Sequence, residues 1–180
     1  DLGYKEKIYV IPPQVKTIDA ISSNKISNTL CFIGSFYRQT NINAVERLID
    51  KIFTNISVPV ELNIAGKGMP KKLKNRIDKI NGINYHGFVN DIDKFLSKQM
   101  LMVAPIELGS GLKMKITHSL ASGTPVITTP VGAEGINIDH NKGLWVCRNN
   151  SEIIDKINSL LPNYKKLIQR GNEGKSAVNE

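Results

Sequence analysis

Leu101-Met102-Val103-Ala104-Pro105-Ile106-Glu107-Leu108-Gly109-Ser110-Gly111-Leu112-Lys113-Met114-Lys115 is the stretch on which the reading of this 180-residue chain turns. Its first four residues form a short apolar run suited to a buried strand, and Lys113–Ser122 is placed in a helix. The loop between them carries two glycines, which let the backbone approach a ligand closely. The first unpaired amides of the helix, at the positive end of its dipole, suit a phosphate. Lys113 and Lys115 add full positive charge nearby. The same features also fit a plain strand-to-helix turn with two solvated lysines.

Working outward, short β-branched or apolar runs alternate with longer segments of helical period, the pattern of a βαβ chain. Strands are expected at Thr29–Ile33, Val60–Ala65, Ile83–His86, Leu101–Ala104, Val126–Thr128 and Leu144–Cys147. Helices are expected at Asn41–Phe53, Pro70–Ile80, Asp91–Ser97, Lys113–Ser122, Glu152–Leu161 and Tyr164–Gly171. In the first helix Ala44, Leu48, Ile49 and Ile52 share one face, and Asn41 is read as its N-cap. The fold class is therefore α/β, a doubly wound, six-stranded, mostly parallel Rossmann-like sheet. In the strand order 3-2-1-4-5-6 the winding reverses between the first and fourth strands, and ligands sit at their carboxyl ends. The loops leaving those strands, Gly34–Thr40 and Pro105–Leu112, should then meet at one crevice.

Length allows one ordinary domain, placed at residues 29–180. Residues 1–28, with Pro12-Pro13 and Ser22-Ser23-Asn24, read as a linker. The first residue is Asp1 rather than Met, so a fragment or a processed product is expected. Apolar residues make up 41% and charged ones 22%, a globular balance, and the longest apolar stretch is far too short to span a bilayer. Cys31 and Cys147 each lie in an apolar run and have no metal-ligand spacing to the three histidines, which suggests inert core thiols in a reducing, cytoplasmic setting. The net charge of +8 favours anionic partners. Much of that charge sits in Lys71, Lys72, Lys74, Arg76 and Lys79, which read as a solvated helix face or a peripheral contact with an acidic leaflet. Nucleic acid is disfavoured because the aromatics do not interleave with the basic positions.

Two commoner phosphate motifs are absent. No glycine from Gly109 onward opens a P-loop, and the dinucleotide fingerprint fails after Gly66-Lys67-Gly68 because position 71 is lysine. No Ser-His-Asp or Cys-His grouping appears in a recognisable setting. His86 reads as a packed or hydrogen-bonded strand-end histidine, and His140 as an exposed loop residue.

Pro105 to Gly135 resembles the donor-site signature of retaining glycosyltransferases of the two-domain GT-B fold, group 1. The resemblance is carried by Gly109-Ser110-Gly111, Lys115, Ala121-Ser122-Gly123-Thr124-Pro125-Val126 and Gly132-Ala133-Glu134-Gly135. Phe32-Ile33-Gly34-Ser35 with Asn41, Ile64-Ala65-Gly66-Lys67-Gly68 and His86-Gly87-Phe88-Val89 follow the family's order. Lys7-Ile8-Tyr9-Val10-Ile11-Pro12-Pro13 resembles the hinge that enters the second domain. The missing half would then be N-terminal, and this chain the C-terminal half of a GT-B enzyme, inactive alone.

What the resemblance implies is a UDP- or GDP-linked sugar as donor, with no cofactor and no metal. The acceptor, a glycan or lipid-linked molecule of cell-surface polysaccharide assembly, would be held mainly by the other domain. The resemblance places the diphosphate at the amides of Gly111 and Leu112 and at Lys115, with Arg38 or Lys113 from the rim. It places Gly34, Ser35, Leu108 and Gly109 along the donor, and Phe88 and Val89 beside the base. Relatives carry two glutamates with seven residues between them, where this chain has Ser110 and His118. His118 would then serve the ribose with one acceptor instead of a carboxylate's two, or would simply sit on the exposed side of its helix. Glu107 or Glu134 would supply a carboxylate to the sugar, or each is a surface charge. Lys115, His118 and Arg38 are the residues nearest the expected chemistry. A relative that keeps the fold and a nucleotide but has lost transfer is the alternative.

Overall fold

A computed structural model describes residues 25–139 and 141–178. The hinge reading of Lys7–Pro13 and the loop reading of His140 fall outside them.

Six strands form one sheet: β1 Thr29–Ile33, β2 Glu61–Ala65, β3 Ile83–Tyr85, β4 Leu101–Ala104, β5 Val126–Thr128 and β6 Leu144–Val146. Their order is β3-β2-β1-β4-β5-β6, and every neighbouring pair is parallel. A parallel sheet covered by helices on both faces requires strands apolar on both sides, and β1 (TLCFI) and β4 (LMVA) are buried along their whole length. β1 pairs with β2 and with β4, so the reversal of winding falls between β1 and β4.

The helices are α1 Gln39–Arg47, α2 Lys71–Ile77, α3 Ile92–Ser97, α4 Met114–Ala121, α5 Pro130–Ala133, α6 Asn150–Leu160 and α7 Tyr164–Val178. α1 continues through a wide π turn at Leu48–Ile52 and a tight 3-10 turn at Phe53–Asn55. The expected single helix 41–53 is thus corrected. The adjacent Leu48 and Ile49 are both buried, together with Ile52, and widening the turn lets neighbouring apolar residues share the inner face. Asn41 is not the N-cap: Arg38 holds that position, and Asn41 is buried inside the helix. Asp91 caps α3, accepting from the Lys94 amide at 2.8 Å.

α7 runs past Gly171, where the sequence suggested an end, to Val178. The two glycines serve contact instead of termination. A Cβ on Gly171 would lie 2.3 Å from the Gly123 carbonyl oxygen, and one on Gly174 3.0 Å from that of Lys142. α7 can approach these turns only because the side chains are missing.

The last residues of the 1–28 segment belong to the packed body. The Lys25 ammonium donates to the carbonyls of Ser97 (3.2 Å) and Gln99 (2.7 Å) and to Thr124 Oγ1 (3.0 Å). Burial pulls its pKa down to about 8. Cys31 and Cys147 are buried and free. His86 Nε2 meets Asn63 Oδ1 at 2.8 Å and its ring packs edge-on against Phe95, the packed state expected for it. On α2, Lys74 pairs with Asp78 and Arg76 with Asp50, leaving Lys71, Lys72 and Lys79 as exposed charge. No described helix is long and apolar enough to cross a membrane.

Helix propensity alone says that Gly171→Ala should stabilise α7 by up to about 1 kcal/mol. The contact with the Gly123 carbonyl predicts the opposite, a loss of about 1–3 kcal/mol in denaturant unfolding of the variant. A stabilised Gly171→Ala would disprove this packing.

Candidate functional site

The loops leaving β1 and β4 meet as the topology requires, and a cleft opens between them. Its larger part, about 560 Å³, is lined by residues that include Gly34, Ser35, Lys67, Phe88, Val89 and His118. Its smaller part, about 400 Å³, is lined by residues that include Arg38, Asn41, Leu108, Gly109, Ser110 and Leu112. Gly34, Ser35, Met114 and Lys115 line both parts. Each volume falls in the range of roughly 300–1,000 Å³ typical of ligand clefts.

Lys115 stands at the junction. Its ammonium donates to Asn41 Oδ1 and lies 4.5 Å from the centre of the Phe32 ring. Asn41 in turn donates to the Ser35 carbonyl at 2.7 Å. Asn41 can sit there because residue 34 is glycine: a Cβ at that position would lie 2.8 Å from Asn41 Nδ2. One amide side chain thus ties the β1 loop to the lysine of α4. Burial, reinforced by repulsion from Arg38 and Lys113, holds the Lys115 pKa down at about 8.

The loop from β4 to α4 is fixed from several sides. Arg47, on α1, donates to the Pro105 carbonyl (3.2 Å) and to Asn150 Oδ1 (2.8 Å). Thr129 Oγ1 donates to the Ile106 carbonyl. Gly109 and Gly111 take φ values of +120° and +74°, which favour glycine. The Leu112 amide meets no acceptor among the described residues and precedes the first turn of α4, where the amides of a helix are free to bind anions.

Lys113, expected to point at a ligand, instead folds back on the carbonyls of Gly109 and Gly111 and pairs with Glu134 at 3.4 Å. It still lines the smaller cavity. Glu107 pairs with Arg47 at 3.3 Å. Neither Glu107 nor Glu134 lines either part of the cleft. Of the two readings given for each acid, a carboxylate for the sugar or a surface charge, the pairings with Arg47 and Lys113 accord with the second. Gly111 also falls outside the lining, next to Leu112.

The result is a cleft with Lys67, Arg38, Lys113 and Lys115 on its walls and, among the described residues, no aspartate or glutamate lining it. Lys67 lies 3.9 Å over the exposed Phe88 ring. Among the described residues no group of three or more His, Cys, Asp or Glu could hold a metal. Three participants escaped sequence reasoning. Asn41 was taken for a cap, Arg47 belongs to an ordinary-looking helix, and Asp93 reaches His118 at 3.2 Å from α3. Each acts on a partner distant in sequence, so no local pattern gave it this contact.

A doubly wound parallel sheet with a basic cleft at its reversal point defines a Rossmann-like domain. The chain belongs to the group 1 glycosyltransferases: the sequence model described as "Glycosyl transferases group 1" matches residues 27–163. No curated protein matches by sequence. Among solved structures of GT-B glycosyltransferases, S. aureus TarM in complex with Fondaparinux, alpha-GlcNAc-glycerol and UDP superposes with a TM-score of 0.81 at 19% identity, covering 96% of this chain and 36% of that one. Anabaena HepE in complex with UDP-glucose gives 0.70 at 15%, covering 84% and 44%. The pneumococcal O-GlcNAc transferase GtfA in complex with UDP and GlcNAc gives 0.62 at 15%, covering 98% and 36%. The chain thus spans well under half the length of each.

Lys115 is protonated below about pH 8 and neutral above it. A bound anion favours the charged form and raises that pKa, so binding takes up a proton once the pH passes about 8. A nucleoside diphosphate, followed by calorimetry in buffers of different ionisation enthalpy, should show constant affinity from about pH 7, where its own second phosphate ionisation is complete, up to that point, and weaker, proton-coupled binding above it. Affinity flat through this region would refute the role of Lys115.

Proposed function

We propose that this chain is the donor-binding, C-terminal half of a GT-B glycosyltransferase. In this reading it holds a UDP- or GDP-linked sugar while an N-terminal domain presents a glycan or lipid-linked acceptor for cell-surface glycan assembly in the cytoplasm. The observation that carries the reading is the charge of the cleft: among the described residues four basic side chains line it and no carboxylate does. A nucleoside diphosphate has the complementary charge. The exposed Phe88 ring and Val89, which line the larger cavity, suit a base.

During transfer the bond between the sugar's anomeric carbon and the β-phosphate oxygen breaks, and negative charge grows on that oxygen. Lys115 and the amides at Gly111 and Leu112 would neutralise it, with Arg38 on the rim of the smaller cavity. Because Asn41 already holds Lys115 in place, little reorganisation is needed as the charge develops. Ser35 and Ser110 offer hydroxyls along the same path. The exposed lysines of α2 suit contact with the acidic inner face of a membrane.

A second reading rests on a specific observation. Glu107 and Glu134 are engaged by Arg47 and Lys113, and the resemblance sets Ser110 and His118 at the positions of relatives' glutamates. A cleft without a carboxylate fits a nucleotide-sugar-binding module that has lost transfer. Sugar transfer by the chain joined to its N-terminal domain separates the two.

Removing one charged hydrogen bond to a phosphate should weaken UDP or GDP binding by Lys115→Met about ten- to a hundredfold, since such bonds contribute roughly 1.5–3 kcal/mol. Lys72→Met, on the exposed face of α2, should bind as the unsubstituted chain does. Equal affinities for both variants would overturn the assignment.

A further inference from the structure

We infer that Asp93 is a positioning residue that sets the His118 imidazole to read a ribose hydroxyl in the larger cavity. The inference rests on the nucleotide-donor reading above. His118 lies one helical turn beyond Lys115 on α4 and lines the wall shared with Phe88 and Val89. It shares that cavity with both the lysine expected at the phosphates and the residues expected at the base, so the sugar of a nucleotide lodged there comes within its reach.

His118 Nε2 is 3.2 Å from Asp93 Oδ1, a carboxylate oxygen contributed by α3. That oxygen is sealed from solvent and has no completed hydrogen bond. A carboxylate oxygen cut off from water needs a facing donor, and the ring nitrogen beside it is placed to be that donor. A neutral imidazole has one N–H and one lone pair. With the proton on Nε2 toward Asp93, Nδ1 is left as the acceptor, and a ribose hydroxyl is a donor it can take. The contact stops short of hydrogen-bond alignment, and contacts of this kind tighten when the ligand arrives.

Asp93 therefore does for His118 what no local sequence signal announces. It chooses the tautomer and fixes the ring, so that one acceptor stands where relatives offer two carboxylate oxygens. A residue that only pinned α3 to α4 would change binding of every ligand alike. A residue that selects the tautomer changes only the discrimination of the hydroxyls.

The test titrates UDP and its dideoxy analogue, which lacks both ribose hydroxyls, into the unsubstituted chain, Asp93→Asn, Asp93→Ala and Asp93→Glu. The unsubstituted chain should prefer UDP by about tenfold, the effect of one hydrogen bond to a well-held acceptor. Asp93→Asn and Asp93→Ala should lose that preference through weaker UDP binding while the dideoxy analogue binds as before, and Asp93→Glu should recover part of it. Nitrogen NMR of the unsubstituted chain, which depends on no variant folding, should show neutral His118 protonated at Nε2. Equal losses for both ligands, no preference in the unsubstituted chain, or a proton on Nδ1 would overturn the inference and leave the donor reading standing. Failure of the unsubstituted chain to bind UDP, GDP or any other nucleoside diphosphate would overturn both.

Discussion

The contact between the Lys115 ammonium and Asn41 Oδ1 is the constraint on which the rest of the site depends. It joins α4 to α1 across the point where the sheet reverses its winding, and through the Asn41 bond to Ser35 it sets the spacing of the two loops that form the cleft. The lysine is desolvated and repelled by Arg38 and Lys113, so its charge is held under tension that an anion relieves. Gly34 is part of the same device, since a side chain there would displace Asn41. A preorganised cation of this kind responds to developing negative charge without first having to move.

Around that lysine the carboxylates are kept apart from the ligand space. Glu107 is engaged by Arg47, Glu134 by Lys113, and Asp93 by His118. Each pairing anchors a loop or helix at the cleft's edge, and those with Arg47 and Lys113 also balance a negative charge there. Arg47 is the clearest case, because one guanidinium holds the Pro105 carbonyl, the Glu107 carboxylate and the start of α6. The positive field and the shape of the glycine loop thus arise from the same contacts.

Much of the fold was legible in the sequence because fully buried parallel strands leave short apolar runs bounded by turn residues. β1, β4 and β5 fall at the bounds read from the residues, and the strand order follows from the βαβ rhythm. Misreadings arose where a residue serves a distant partner. Asn41 carries a good capping side chain, yet a lysine 74 positions away claims it. Gly171 carries a helix-stop signal, yet the turn at Gly123 needs its missing side chain. The site shows the same division: the Gly109–Lys115 segment announced itself through spacing, whereas Arg47 and Asp93 act through contacts that only the folded chain brings together.

The account is tested most directly by a crystal structure of the chain with UDP or GDP bound. It predicts the two phosphates at the junction of the two cavities, within hydrogen-bond reach of Lys115 Nζ and the Leu112 amide, with the base against Phe88. A diphosphate seated elsewhere, or a Lys115 still turned wholly to Asn41 with the phosphates out of reach, would contradict it.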